Sequence, residues 1–376
     1  MNDRSRLPDL ASRAVGGAVV HANDELFAER ENLIKPSAPE YRPHTFGHKG
    51  QVYDGWETRR RREPGVDFAL IRLGLPGIVR RLVVDTAFFK GNYPPRVSVQ
   101  AAAVDGYPSP AELLAAEWTE LLAPAEVEGD AENAFDVDAP LHSTHLRLCM
   151  HPDGGIARLR ARGEPVADPR WARGEFDLAA LEHGGRITGC SNMFYSSPAN
   201  LLAPDRAAVM GEGWETARRR DDGNDWVEIG LAAPGELAHV ELDTSHFVGN
   251  APGWATLSGV DERGADPADP AAWRELLPRT RLQPDTRHRF RVAPTGELTR
   301  VRLDVHPDGG MARLRLHGTP TDEGRAELMR RWFGLLPAAF ARSVLTGAGV
   351  PEARAAELAA AELTPEHVAE LLAALG

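Results

Sequence analysis

Two short blocks set a carboxylate, an aromatic ring and several guanidinium groups close together. Gly55-Trp56-Glu57-Thr58 runs into Arg59, Arg60, Arg61 and Arg62, and Gly213-Trp214-Glu215-Thr216 is followed by Arg218, Arg219 and Arg220. A planar guanidinium binds a carboxylate through two parallel hydrogen bonds, and a neighbouring Glu or Thr can accept amide hydrogens. The same residues also fit a wedged indole beside a solvated basic face. A second pair of blocks, Asp85-Thr86 with Lys90 and Asn92, and Asp243-Thr244 with Asn250, ends apolar runs next to a glycine. That placement suits polar groups at the mouth of a sandwich, or an Asx turn closing a strand. A third pair is His151-Pro152-Asp153-Gly154-Gly155 and His306-Pro307-Asp308-Gly309-Gly310, with Arg158 and Arg313 just beyond. An imidazole near a carboxylate can serve as an acid/base pair, as two metal ligands, or as a turn held by local hydrogen bonds. Near the start, Asn23-Asp24-Glu25 offers two acids where the matching Ser191-Asn192-Met193 has none. Acid/base chemistry is therefore expected in the first copy, with Asp24, Glu25, Glu57 and His151 as its candidates.

All these blocks come twice, and the duplication dictates the architecture. Gly16-Gly17 returns as Gly184-Gly185, 168 positions on, and Asn32-Leu33 as Asn200-Leu201 at the same offset. From Trp56 to Trp214 the offset is 158, and from His151 to His306 it is 155. Collinear order with a stepwise falling offset means a duplicated domain with loop deletions. Two units of this length need a core each, unlike the shorter repeats of a solenoid. Proline and glycine near residues 164–174 mark the boundary, dividing the chain into residues 1–168, 169–320 and a tail, 321–376.

Within a unit the periodicity is mostly β. Phe68 to Leu73, Arg81 to Thr86, Arg96 to Gln100, Leu146 to Met150 and Ile156 to Arg160 alternate or run apolar over strand length. The last two flank the His-Pro-Asp-Gly-Gly segment and read as a hairpin closed by a type I turn. One helix is expected from Pro110 to Leu122, with Ser109 as its N-cap. Many short strands with one helix indicate an all-β fold, a tandem repeat of two β-sandwiches. The tail turns rich in Ala, Leu and Glu at helical spacing, which predicts a short C-terminal α-helical appendage packed on a sandwich or on a neighbouring subunit.

Composition removes several classes. With 43 Lys and Arg against 55 Asp and Glu, the formal charge is −12, so neither nucleic acid nor an anionic membrane is an expected partner. Cys149 and Cys190 stand in no metal or redox spacing, which suits a reduced interior. No stretch approaches the roughly 18 apolar residues of a membrane span, and no signal-peptide core is evident. The cytoplasm is the expected location. Phosphate-binding glycine loops, Gly-x-Ser-x-Gly elbows and His-Glu-x-x-His motifs are all missing from the sequence.

Taken in order, Gly16-Gly17, Asn23 to Ala28, Asn32-Leu33-Ile34, Asp54 to Arg60, Asp85 to Pro94 and His151 to Arg158 resemble the allantoicase family. The resemblance covers roughly residues 9 to 319. It implies a tandem jelly roll of the discoidin/galactose-binding-like kind. It also implies a hydrolase of purine breakdown, in allantoin degradation, that cleaves allantoate with water to ureidoglycolate and urea. On that reading Asp24, Glu25, Glu57 or His151 handles protons. Trp56, Thr58, Arg59, Arg60, Asp85, Thr86, Lys90, Asn92, Asp153 and Arg158 surround the substrate. Their counterparts are Trp214, Glu215, Thr216, Arg218, Asp243, Thr244, Asn250, His306, Asp308 and Arg313. No cofactor is required by the sequence; a divalent metal is compatible with it, its ligands unknown. A small-molecule substrate and a homo-oligomer are expected. The competing expectations are a non-catalytic tandem jelly roll binding a carbohydrate or other small ligand, and a hydrolase of another ureido acid such as ureidoglycolate.

Overall fold

The structure, a computed structural model, describes Arg4 and residues 7–376. Residues 1–3, 5 and 6, where the expected first unit begins, lie outside the described residues. The chain divides into two units, one running to Val166 and taking in Leu335–Ala361, the other comprising Ala167–Gly334 and Glu362–Gly376.

In the first unit the elements are β1 (Ala18–Ala22), β2 (Phe46–Gly47), β3 (Gly50–Gln51), β4 (Trp56–Glu57), β5 (Asp67–Asp85), β6 (Arg96–Ala102), α1 (Pro110–Leu114), β7 (Thr119–Glu126), β8 (Glu132–Asp136), β9 (His142–His151), β10 (Gly155–Ile156) and β11 (Arg158–Pro165). The order β1-β5-β9-β6-β7 makes one antiparallel layer. Strand β5 belongs to both layers. Its first residues, to Arg72, lie between β1 and β9, and from Ile78 to Asp85 it lies beside β11 and then β8. The switch occurs where β5 and β9 lose register, between Arg72 and Gly77. Two glycines make it sterically feasible. A Cβ on Gly74 would meet the Val15 carbonyl oxygen at 2.2 Å, and one on Gly77 would meet that of Glu164 at 2.1 Å. Leu70, Leu82, Val84, Val97, Val99, Leu146, Leu148 and Leu159 fill the interior, each fully buried. Removing their apolar surface from water is what drives the layers together.

The second unit repeats this plan with β12 (Phe176–Asp177), β13 (Arg186–Cys190), β14 (Trp214–Glu215), β15 (Asp225–Asp243), β16 (Trp254–Val260), β17 (Arg274–Arg281), β18 (Arg287–Arg291), β19 (Leu298–His306), β20 (Gly310–Met311) and β21 (Arg313–Pro320). Here β15 is the shared strand, beside β13 and β19 first and then β21 and β18. Each unit is thus an antiparallel β-sandwich, as periodicity predicts.

Two local expectations fail. The helix expected to Leu122 stops at Leu114, although Ser109 caps it as foreseen, with Glu112 completing the capping box. The Trp118 indole donates to the Leu113 carbonyl at 2.9 Å and lies under the Arg147 guanidinium. Chain beyond it joins β6 as an edge strand, where ladder hydrogen bonds outweigh helix propensity. The strands around His151-Pro152 also do not form a hairpin. β9 pairs with β5 and β6, β10 with β4, and β11 with β5. The segment carries the chain between layers, and both His–Pro bonds are cis.

Residues 321–376 form α2 (Asp322–Phe333), α3 (Ala338–Gly347), α4 (Glu352–Ala360) and α5 (Pro365–Leu375). Thr321 caps α2 and Thr364 caps α5 through their hydroxyls. These helices are shared out: α3 and α4 go with the first unit, α2 and α5 with the second. Leu328 of α2 packs on Ala172 and Ala233. No helix of the described residues is long and apolar enough to cross a membrane.

One buried imidazole makes the first unit acid-sensitive. His145 on β9 is 2% exposed, and its Nε2 has no hydrogen-bond partner among the described residues. Burial, with the Arg72 charge beside it, pushes its pKa from 6.5 down to about 4. The unfolded chain therefore takes up the proton first, and stability is lost as pH falls from 6.5 toward 4. The window corresponds to roughly 3 kcal/mol. In chemical denaturation across that range, His145→Leu is expected to flatten the pH dependence by about this amount.

Candidate active site

Trp56 is fully buried, and its indole donates to the Asp24 carbonyl at 2.8 Å. The Asp24 carboxylate accepts from the amides of Leu26 and Arg59, each at 3.0 Å, and pairs with the Arg59 guanidinium. In the second unit the Trp214 indole meets the Asn192 carbonyl, and the Asn192 side-chain oxygen accepts from Phe194 and Ala217. An amide therefore does the same turn-holding work. Burial pushes the Asp24 pKa up, but the two amides and Arg59 outweigh it and hold it below its usual value. Asp24 is an engaged, ionised carboxylate and a poor candidate for moving protons. Glu25 accepts from the Arg30 amide and pairs with its guanidinium.

Glu57 is different. Its backbone exchanges hydrogen bonds with Ala28, and β4 pairs it with Gly155. Its carboxyl Oε1 accepts from the Asn92 amide at 2.6 Å, while Oε2 is buried with no hydrogen-bond partner among the described residues. Burial raises its pKa, with the Asn92 bond acting in the opposite sense. A buried carboxyl with one oxygen unbonded and a pKa raised by burial holds its proton to higher pH than an exposed glutamate does, which is the property a proton-transfer group needs. Glu215 and Asn250 repeat the bond at 2.6 Å, yet Glu215 is less buried. Sequence reasoning favours the first copy because Asp24 and Glu25 have no acidic counterparts in the second; between the two glutamates themselves the structure adds a difference in burial.

The remaining candidates divide between turn-holders and surface groups. Thr58 and Thr216 accept from the amides of Gly154 and Gly309. Asp85 and Asp243 close Asx turns on Ala87 and Ser245, both at 2.8 Å, and burial raises the Asp85 pKa. Thr86 and Thr244 donate to the carbonyls of Glu128 and Gln283. Lys90 is exposed and pairs with Asp130. Arg60 and Arg218 are exposed. His151 and Asp153, expected as a pair, part company. His151 Nε2 lies 2.9 Å from the Ser98 hydroxyl, whereas Asp153 accepts from the Arg61 amide at 2.7 Å. His306 and Asp308 part in the same way, toward Thr256 and Arg219. Both imidazoles are held below their usual pKa by burial and by Arg96 or Arg279.

Arg158 cannot hold a substrate carboxylate. It is fully buried, and its five N–H groups reach the carbonyls of Ser37, Ala38, Asp54 and Ala157 and the Asp54 carboxylate at 2.6 Å. A guanidinium has five donors and no more. Burial alone would raise the Asp54 pKa, yet Arg158 and Lys35 bring it to about 2. Arg313 makes the matching bonds to the carbonyls of Asp205, Glu212 and Ala312.

Sequence reasoning missed a cavity of about 220 Å³ in the first unit, built on the β2–β3 hairpin. Its lining includes Asn32, Lys35, Arg42, His48, Lys49 and Tyr53. Lys35 donates to Asp54 and Lys49 to the Glu25 carbonyl, each at 2.9 Å. Ala28, which brackets the Glu57 backbone, is in the same wall. The signal was present: the repeat offset drops by ten between Pro36 and Gly55. The extra chain of the first copy is therefore what builds this cup.

Fold and sites together define a duplicated β-sandwich protein whose first unit carries a buried carboxyl with one unbonded oxygen and a cavity walled in part by Ala28. A model of the allantoicase repeat matches residues 8–166 and 176–321, hence both sandwiches. A probable allantoicase of Nocardia farcinica is 56% identical over 318 residues, covering 84% of this chain and 94% of its own. One from Streptomyces coelicolor is 51% identical over 337 residues, covering 86% and 88%. The crystal structure of allantoicase from Saccharomyces cerevisiae is 33% identical, with a TM-score of 0.70, covering 84% of this chain and 94% of its own. The chain belongs to the allantoicase family.

The geometry of Arg158 carries its own test. Losing one partner of a buried ion pair costs about 3–5 kcal/mol. Arg158→Met is expected to lower first-unit stability by that order, and Arg158→Lys to recover little, since an ammonium cannot reach five acceptors. Thermal or urea unfolding of the purified variants measures both.

Proposed function

We propose that this chain is an allantoicase that hydrolyses allantoate to ureidoglycolate and urea, with Glu57 as the group that transfers the proton. The observation that carries the reading is the Glu57–Asn92 pair: one oxygen fixed at 2.6 Å, the other buried and unbonded, and a pKa raised by burial.

Allantoate bears a carboxylate and two ureido groups on one carbon. Hydrolysis forms a C–O bond from water and breaks a C–N bond, and the departing urea nitrogen must gain a proton. Protonated Glu57 supplies that proton, and the carboxylate it leaves recovers one from the attacking water. Asn92 fixes the carboxyl and leaves Oε2 to face the leaving group. Arg59 and Arg60 are the exposed guanidinium groups beside Glu57 in sequence; Arg158 is fully committed, and the Arg59 guanidinium meets Asp24 through Nε alone, so we assign the substrate carboxylate to Arg60 and the remaining Arg59 donors. The cationic groups of the cavity over β2–β3 would draw a compact anion toward this end of the sandwich.

In this scheme no cofactor is used. Asp24, Asp54 and Asp85 are each engaged by amides or guanidinium groups, so the step rests on proton transfer alone. Urea release by the folded enzyme should therefore survive prolonged chelation. Work in the cytoplasm, as a homo-oligomer, belongs to the same reading, supported by Cys149 and Cys190 not being joined in a disulfide. Cell fractionation and light scattering test these two points.

The decisive measurement is urea release from allantoate and ureidoglycolate by wild type, Glu57→Gln and Glu215→Gln. Removing a proton-transfer group costs about 10²–10⁴-fold. Glu57→Gln is expected to lose that much kcat/KM with unchanged melting temperature, and Glu215→Gln far less. The pH limb owed to Glu57 should lie above its ordinary 4.5 and vanish in the Gln variant. Near-normal turnover by folded Glu57→Gln would remove Glu57 from the mechanism. Calorimetric binding of allantoate without turnover would favour a binding module, and preference for ureidoglycolate the other hydrolase.

A further inference from the structure

One cluster of the second unit takes no part in that chemistry. His239 on β15 and His317 on β21 stand directly opposite in register on adjacent antiparallel strands. Their rings stack at 4.4 Å between centroids and 11° between planes. Strand β12 pairs along the other side of β21, Asp177 against His317, and brings in Glu175, whose Oε1 lies 3.0 Å from His239 Nδ1. One ligand atom from each of Glu175, His239 and His317 lies within 4.8 Å of the others. It is the one such group of three among the described residues.

We propose that Glu175, His239 and His317 form a binding site for a divalent transition cation of the zinc type. Two imidazole nitrogens and a carboxylate oxygen are a donor set that zinc takes, at about 2.0–2.2 Å. Donors on one tetrahedral ion sit roughly 3.3 Å apart, so closing from 4.8 Å asks only for side-chain rotation. All three side chains are at least partly open to solvent, which leaves room for water as a fourth ligand.

The electrostatics point the same way. Asp177, Glu241 and Glu175 all bring negative charge close to His317. Neutral imidazoles are the form that ligates metal. Asp177 Oδ2 is buried without a hydrogen-bond partner among the described residues, although Arg315 lies 3.5 Å away. Arg287 and Arg289 pair with Glu241, and Arg291 stands opposite His239 on β18. The acids near the two rings are thus partly neutralised, and the cation would be held by the three ligands themselves.

The first unit supplies the control. At the same lattice point β5 and β11 bring Arg81 and Arg162 into register, with Leu7 in the position of Glu175. Two guanidinium groups cannot ligate a cation, so the fold does not require histidine there. The site would be specific to the second unit, tying edge strand β12 to β21 and β15. It is independent of the Glu57 reaction, so either reading can fail alone.

The test uses the full chain, stripped with EDTA and dialysed free of it, then titrated with zinc chloride alone by calorimetry. One equivalent per chain and a raised melting temperature are expected, with binding lost as pH falls below about 6. Cobalt(II) should give a visible spectrum of low-coordinate N/O ligation. Glu175→Gln, His239→Gln and His317→Gln should each weaken zinc at least about ten-fold while leaving urea release unchanged. The double change His239→Arg with His317→Arg, which copies the arginine pair of the first unit, guards against misfolding and should abolish binding. No zinc bound at micromolar concentration, or full stoichiometry in the double variant, would overturn the proposal.

Discussion

Each sandwich depends on one strand that runs through both of its layers, with an aspartate at either end. In the first unit Asp67 opens β5 and accepts from Asn23 and the Arg61 guanidinium. Asp85 ends it, closing the turn that leads to Asn92. Because a strand is stiff, these two anchors set the loops carrying Glu57 and Asn92 at fixed positions. Asp225 and Asp243 do the same in β15. Both opening aspartates are almost wholly buried, so each must keep its partners or incur a desolvation penalty.

Duplication preserved this frame and released the chemistry. The indole-to-carbonyl bond, the side-chain oxygen under the following amides, the Thr–Gly clamp and the Glu–Asn pair recur at nearly the same lengths. What changed is burial and insertion. Glu57 is buried and Glu215 less so, and among the described residues only the first unit carries the β2–β3 hairpin. Where the first unit has a pair of arginines in register, the second has a pair of stacked histidines. The same scaffolding thus presents different side chains in the two units.

Most of the fold was legible because it rests on local pattern. Alternating apolar residues mark Arg96–Ala102 and its relatives as strands, and the three offsets reveal two units and the place of the insertion. The failures share a cause. Trp118 and Thr119 sit in a good helical context, but β6 offers an unpaired edge, and that edge is built from residues distant in sequence. His151 to Gly155 looks like a hairpin turn because partner choice between layers leaves no local trace.

For the site, the sequence by itself determined which residue types are available: the duplicated Glu57 and Asn92, the arginine runs, and the acids lacking a counterpart. Only tertiary structure decided which of them are free. Arg158 and Asp24 look as reactive as Glu57 when read along the chain, yet their donors and acceptors are taken up by backbone groups up to 121 positions away. Glu57 keeps an unbonded oxygen because Asn92 takes up the other one and no donor among the described residues reaches Oε2. Hydrogen-bond capacity is finite and is filled through space, so a residue's chemistry is settled by neighbours that its own stretch of sequence does not contain.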